Sequence, residues 1–132
     1  MLLKVLLLVS GILAVQSEEI KSAVFQKTFH SGHFDIESGL SDSSNQGVEG
    51  GAVVVRSNLP VEQQQKLAAI LTQIYRSTPD ELHRAKSFQT NLSQMIGVYW
   101  DVVINFDVMI FYYQYFIWLK IDNDQVVAFG RA

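Results

Sequence analysis

The sequence predicts an α+β domain: an N-terminal strand, two helices, and then an antiparallel sheet with the helices packed on it. From Trp100 the even positions Trp100, Val102, Ile104, Phe106, Val108 and Ile110 are apolar, while the odd positions include Asp101, Asn105 and Asp107. That is the period of two of a strand. Leu67, Ile70, Leu71 and Ile74 recur at three- and four-residue spacing, which makes the apolar stripe of a helix. Helix-type segments precede strand-type segments instead of alternating with them, and that order separates α+β from α/β.

Residues 1–17, MLLKVLLLVSGILAVQS, carry one lysine ahead of an apolar run and end on Val15 and Ser17, small residues at the −3 and −1 positions of a cleavage site. They read as a secretory signal peptide, too short and too early for a membrane-spanning helix of ~20 residues. Export is therefore expected, with a mature chain beginning near Glu18 and no membrane attachment after the signal is removed. Residues 18–51 are expected to form a flexible N-terminal segment and linker. Val24, Phe25, Phe29, Phe34 and Ile36 are scattered in it without a period, and its end, SGLSDSSNQGVEGG, has the composition of turns. The folded domain is placed at residues 52–132.

Within that domain Ala52-Val53-Val54-Val55-Arg56 is a β-branched run between Gly51 and Ser57-Asn58, hence a strand. Pro60 suits the first turn of a helix, with Glu62 near its positive end, and the stripe extends the helix to about Arg76. Thr78-Pro79-Asp80-Glu81 opens a second helix, with Thr78 as cap, Pro79 at the first helical position and Glu81 reaching back. Leu82, Ala85, Leu92, Met95 and Ile96 form its stripe, with Phe88 nearby and Gly97 as its stop. After the Trp100 strand, Phe116 to Ile121 and Gln125 to Phe129 are apolar runs joined by Asp122-Asn123-Asp124. Asp and Asn tolerate left-handed backbone angles, so the triplet predicts a tight hairpin turn.

Composition excludes several function classes. The 132-residue chain has a formal net charge of −3 and 17% charged residues, so it carries no electrostatic footprint for nucleic acid. It has no cysteine, and a small domain without disulfides must be held by its core or by a partner chain. His30 and His33 stand three apart without the further ligands of a metal site, and His83 reads as a solvated helix residue. There is no Gly-rich phosphate loop, no nucleophile elbow and no His paired with Ser or Cys. The chain is accordingly read as non-enzymatic, with no catalytic residue, no metal and no cofactor. Asn91-Leu92-Ser93 matches the glycosylation acceptor pattern, which makes Asn91 a candidate site on the secretory route.

Val108, Met109, Ile110, Phe111, Tyr112 and Tyr113 are consecutive apolar or aromatic residues on a strand that can bury only alternate positions. An exposed remainder of that size marks an interface, so a homodimer paired through this strand is expected.

The order of these elements over about residues 52–132 resembles the dynein light chain family, in particular the type 1 class that forms a strand-swapped homodimer. The resemblance rests on Ala52-Val53-Val54-Val55, on Asn58-Leu59-Pro60-Val61-Glu62-Gln63-Gln64, on Trp100-x-Val102-Val103-Ile104-Asn105-Phe106, and on the runs Phe116 to Leu119 and Gln125 to Phe129. It implies that Phe106 to Phe111 crosses to the other subunit and that the groove beside it takes an extended peptide as an added strand. By this likeness the groove and dimer strand comprise Phe106, Val108, Met109, Ile110, Phe111 and Tyr112, with Trp118 and Lys120 at groove positions. Implied partners are a dynein intermediate chain or other peptide-motif proteins. The family's location is the cytoplasm and cytoskeleton, in the dynein complex and microtubule-based processes, which conflicts with the export signal. Two departures stand out: the interval from Trp100 to Phe106 is shorter than in the family, and Phe111 and Tyr112 replace a groove Thr and an interface His. Tyr112 does not become a cation near neutral pH, so acid-driven dissociation through a protonated His should be absent.

A rival reading from another class is a secreted inhibitor of cysteine proteases. Gly50-Gly51 and Gln125-Val126-Val127-Ala128 resemble the cystatins' glycine and hairpin loop, but Phe129 stands in place of that loop's glycine and no Pro-Trp loop follows.

Overall fold

The computed structural model describes residues 19–26 and 50–132. The fold is α+β, two helices packed on antiparallel strands. The elements are β1 (Lys21–Gln26), β2 (Val53–Ser57), α1 (Val61–Ser77), α2 (Glu81–Met95), β3 (Tyr99–Ile104), β4 (Val108–Tyr113), β5 (Tyr115–Ile121) and β6 (Asp124–Arg131). β2, β5, β6 and β3 form a four-stranded antiparallel sheet in that order, while β1 and β4 pair as a separate antiparallel ribbon. The signal-peptide reading of residues 1–17, and His30 and His33, fall outside the described residues.

β5 explains the layering. Ile117, Leu119 and Ile121 point to one side, into a core with Leu67, Leu71 and Ile74 of α1 and Phe88 and Leu92 of α2. Phe116 and Trp118 point to the other, into a second core with Phe25 of β1 and Met109 and Phe111 of β4. A strand covered on both faces needs apolar residues at every position, hence the unbroken run from Phe116 to Leu119. The helices cover one face of the sheet and the ribbon covers the other.

α1 starts after Pro60, whose fixed φ suits a helix entrance. Gln64 is buried in the first turn and donates from Nε2 to the Leu59 carbonyl at 2.7 Å, tying the helix to the strand before it. The second helix begins later than the sequence reading had it. Thr78 ends α1, its N–H donating to the Ile74 carbonyl, and its extended backbone is the one favoured ahead of a proline. Asp80 is the cap instead: its carboxylate accepts the His83 backbone N–H at 3.0 Å. Only Phe88 and Leu92 of α2 are fully buried, and Leu82, expected on the stripe, is exposed.

The residues read as irregular from 18 to 51 include β1, so that expectation is corrected for Lys21–Gln26. The alternation read as one strand from Trp100 to Ile110 is likewise split. Asn105 holds φ 62°, in the left-handed region that Asn tolerates, and ends β3. Its backbone N–H donates to the Gln125 carbonyl at 2.7 Å, and its side-chain oxygen accepts the Gln125 N–H at 2.9 Å. The chain therefore leaves the sheet at Asn105 and returns as β4 in the other layer. Inward positions change from even in β3 (Trp100) to odd in β4 (Met109, Phe111). The turn between β5 and β6 is the short one expected, with Asp122 at φ 52°.

Trp100 lies flat over Gly130 of β6, where a Cβ would come within 2.7 Å of the indole. The indole is pinned by a 2.9 Å hydrogen bond from Nε1 to the Ile96 carbonyl, so it has little freedom to move aside. Gly130→Ala is expected to lower stability by about 1–3 kcal/mol through overpacking, read as a reduced urea midpoint at constant slope.

The His83 backbone N–H, then the His83 side chain with Nδ1 at 2.5 Å, hold the exposed Asp80 carboxyl below its ordinary pKa. A depressed pKa contributes stability above the unfolded value of 3.8 and loses it as pH falls through the folded value. Asp80→Asn keeps a capping oxygen but does not ionise. Unfolding midpoints between pH 5 and pH 2 are expected to fall less steeply for it than for the parent chain.

Candidate functional site

The second core, under the ribbon, concentrates the aromatic side chains. Phe25 of β1 is its centre: its ring stacks on Trp118 at 4.8 Å and meets the edges of Phe111 and Phe116 at 4.9 and 5.6 Å. The Arg56 guanidinium lies 5.6 Å from the Phe25 ring centroid, a cation over an aromatic face. Phe111 stacks in turn on Phe129 at 4.7 Å, and Phe106 contacts Trp118 edge-on at 5.5 Å. Trp118 is fixed in place by a buried hydrogen bond from Nε1 to Gln125 Oε1 at 2.8 Å.

β1 is held in the manner of an added strand. It pairs residue by residue with β4, from Lys21 opposite Tyr113 to Gln26 opposite Val108, and with no other strand among the described residues. Of its six residues only Phe25 is buried, with Ala23 half-buried two positions earlier.

The residues expected to form a groove and dimer strand divide into groups. Phe106, Met109, Phe111 and Trp118 come together around Phe25. Phe106 precedes the strand, which runs from Val108 to Tyr113 and not from 106 to 111 as expected. Val108, Ile110 and Tyr112 point away, 57%, 72% and 59% exposed, and share the outer face of the ribbon with Val24, which lies opposite Ile110. Lys120 is exposed on β5, opposite Val53. Asn91 sits within α2, half-buried, its side-chain amide donating to the Ser87 carbonyl.

Phe25, Arg56, Gln125 and Phe129 are the site residues that sequence reading missed. A Phe in a short segment without a period gives no signal of its own, and its partner strand lies far along the chain. Gln125 to Ala128, the stretch that resembles a cystatin loop, lies inside β6 with these side chains buried.

Other chemistry is sparse. Among the described residues no cluster of three or more His, Cys, Asp or Glu is placed to hold a metal ion, and no helix is long and apolar enough to cross a membrane. Tyr75 is held well above the usual phenol pKa by burial, reinforced by its 2.8 Å hydrogen bond to Asp124. That bond ties α1 to the β5–β6 turn. An open depression of about 420 Å³ lies between the start of α1 and the end of α2, lined by Asn58, Leu59, Pro60, Gln63, Ile96 and Tyr115, with no Asp, Glu, His, Lys, Arg or Cys in its lining.

No family model and no curated protein matches the sequence. The geometry of the site therefore carries the functional argument.

Trp118→Phe is expected to cost about 1–3 kcal/mol, because the buried Gln125 oxygen loses its donor. Thermal melting of the variant checks this, and an unchanged melting temperature would show that the hydrogen bond contributes nothing.

Proposed function

We infer that this chain is a non-enzymatic, dimeric adaptor that binds extended peptide segments of partner proteins. The observation that carries the reading is the outer face of the ribbon. Val24, Val108, Ile110 and Tyr112 form a contiguous exposed apolar surface on a two-stranded element, and soluble monomers keep such surfaces small.

The topology supports the same reading. β4 stands outside the four-stranded sheet, and the outer edge of β3 has no strand beside it among the described residues. An unpaired edge offers a row of N–H and C=O groups that accept a strand from another chain. A second copy meets both conditions, as the likeness to dynein light chains implies. With the leader retained, the partner would be a dynein intermediate chain or a similar peptide-motif protein in the cytoplasm. With the leader removed, the same surfaces would serve exported partners, and Asn91 would be available for glycosylation during export.

Light scattering at micromolar concentration is expected to give the mass of two subunits for the parent chain. Ile110→Lys places a charge at the centre of the exposed surface and should give the mass of one subunit, still folded by circular dichroism, with a melting temperature lowered by the loss of the partner. A single-subunit mass for the parent chain would overturn the dimer.

A further inference from the structure

Besides the open depression beside Gln63 and the exposed face of the ribbon, the contact between β1 and β4 has no role assigned above. β1 has the properties of a docked peptide. It is a six-residue extended segment, joined to the body by main-chain pairing to one strand and by a single buried side chain, and residues 27–49 separate it in sequence from β2. Its inward positions read small-x-aromatic: Ala23 opposite Phe111, and Phe25 opposite Met109 in contact with Phe111, Phe116 and Trp118.

We propose that the β4 edge with its aromatic cage is the peptide-docking site, that β1 is a built-in occupant of it, and that partner segments bind by displacing β1. This inference rests on the adaptor reading and deepens it. The preferred partner is an extended segment, antiparallel to β4, with a small residue followed two positions later by an aromatic one. The physical reasons are local. Main-chain pairing to β4 accepts any sequence, so selectivity comes from the inward side chains. The position opposite Phe111 admits a small side chain because Phe111 itself stacks on Phe129 and fills that part of the layer. The next inward position is walled by three rings and capped by the Arg56 cation, which suits an aromatic ring and disfavours a second positive charge. As part of the same chain β1 competes intramolecularly, so it sets a threshold that a partner must exceed.

The test uses a fluorescein-labelled synthetic peptide, Glu19-Ile20-Lys21-Ser22-Ala23-Val24-Phe25-Gln26, titrated into the full-length chain and followed by anisotropy. Phe25→Asp in the chain removes the buried anchor of β1 and opens the edge. The peptide is expected to bind this variant with a Kd at least about tenfold lower than for the parent chain. The same peptide with Asp in place of its Phe should bind neither. Equal affinity for the two chains, or no binding to a folded Phe25→Asp chain, overturns the proposal.

If Phe25→Asp fails to fold, a second variant decides. Ser22 and Tyr112 are directly opposed on the outer face of the ribbon, and the chain has no cysteine of its own. Ser22→Cys with Tyr112→Cys therefore gives a single disulfide that locks β1 on β4. The reduced form is expected to take up the peptide and the oxidised form to exclude it. Equal binding by the two forms, or binding by neither, overturns the proposal. The adaptor reading fails separately. A single-subunit mass with displacement intact removes the dimer alone, whereas a dimer that captures partner segments equally well with β1 locked or released keeps the adaptor and removes the displacement.

Discussion

β5 buries both of its faces, and the architecture follows from that constraint. With Ile117, Leu119 and Ile121 turned one way and Phe116 and Trp118 the other, each side needs its own cover. Two helices supply the first. The second comes from two strands distant in sequence, β1 and β4, neither of which hydrogen-bonds to the main sheet. Each burial removes large apolar surface from water at roughly 25 cal/mol per Å², so an uncovered Trp118 face would be costly.

Polar side chains decide where the layers begin and end. Asn105 stops β3 with a left-handed backbone and locks onto Gln125, whose side chain in turn holds the Trp118 indole. One asparagine and one glutamine thereby link the point where the chain leaves the sheet to the ring at the centre of the second core. At the other end Gln114 is the single residue between β4 and β5. Its backbone N–H donates to the Gly130 carbonyl, and its own carbonyl accepts from Asn58. These contacts set the path by which the chain returns from β4 to the main sheet, and that path positions the candidate site.

The site combines a rigid half and a lightly held half. Trp118, Phe116 and Gln125 belong to strands paired on both sides and are buried to the last few per cent. β1 contributes one buried side chain and one ladder of hydrogen bonds. Elements with few buried contacts open at lower free energy than core elements.

Much of the fold was legible in the residues. The stripe of Leu67, Leu71 and Ile74, the apolar run of β5 and the Asp122-Asn123 turn are local patterns, written within one element, and the helices and the β5–β6 hairpin follow from them. The chemistry of Asn at a left-handed angle was also local, yet its consequence was not. Alternation from Trp100 to Ile110 reads as one strand because the period of two persists by coincidence across Asn105, while the structure turns the chain into another layer there. β1 was illegible for a different reason: Lys21 to Gln26 has one buried residue and no periodic signal, and it becomes a strand only because β4, far along the chain, offers an edge and a place for Phe25. The sequence by itself determined the two helices, the strand before them and the β5–β6 hairpin, and that β4 carries more apolar surface than one face can bury. Only tertiary structure decided which strands share a sheet and what meets Phe25, because cross-strand pairing and burial are set by residues distant in the chain.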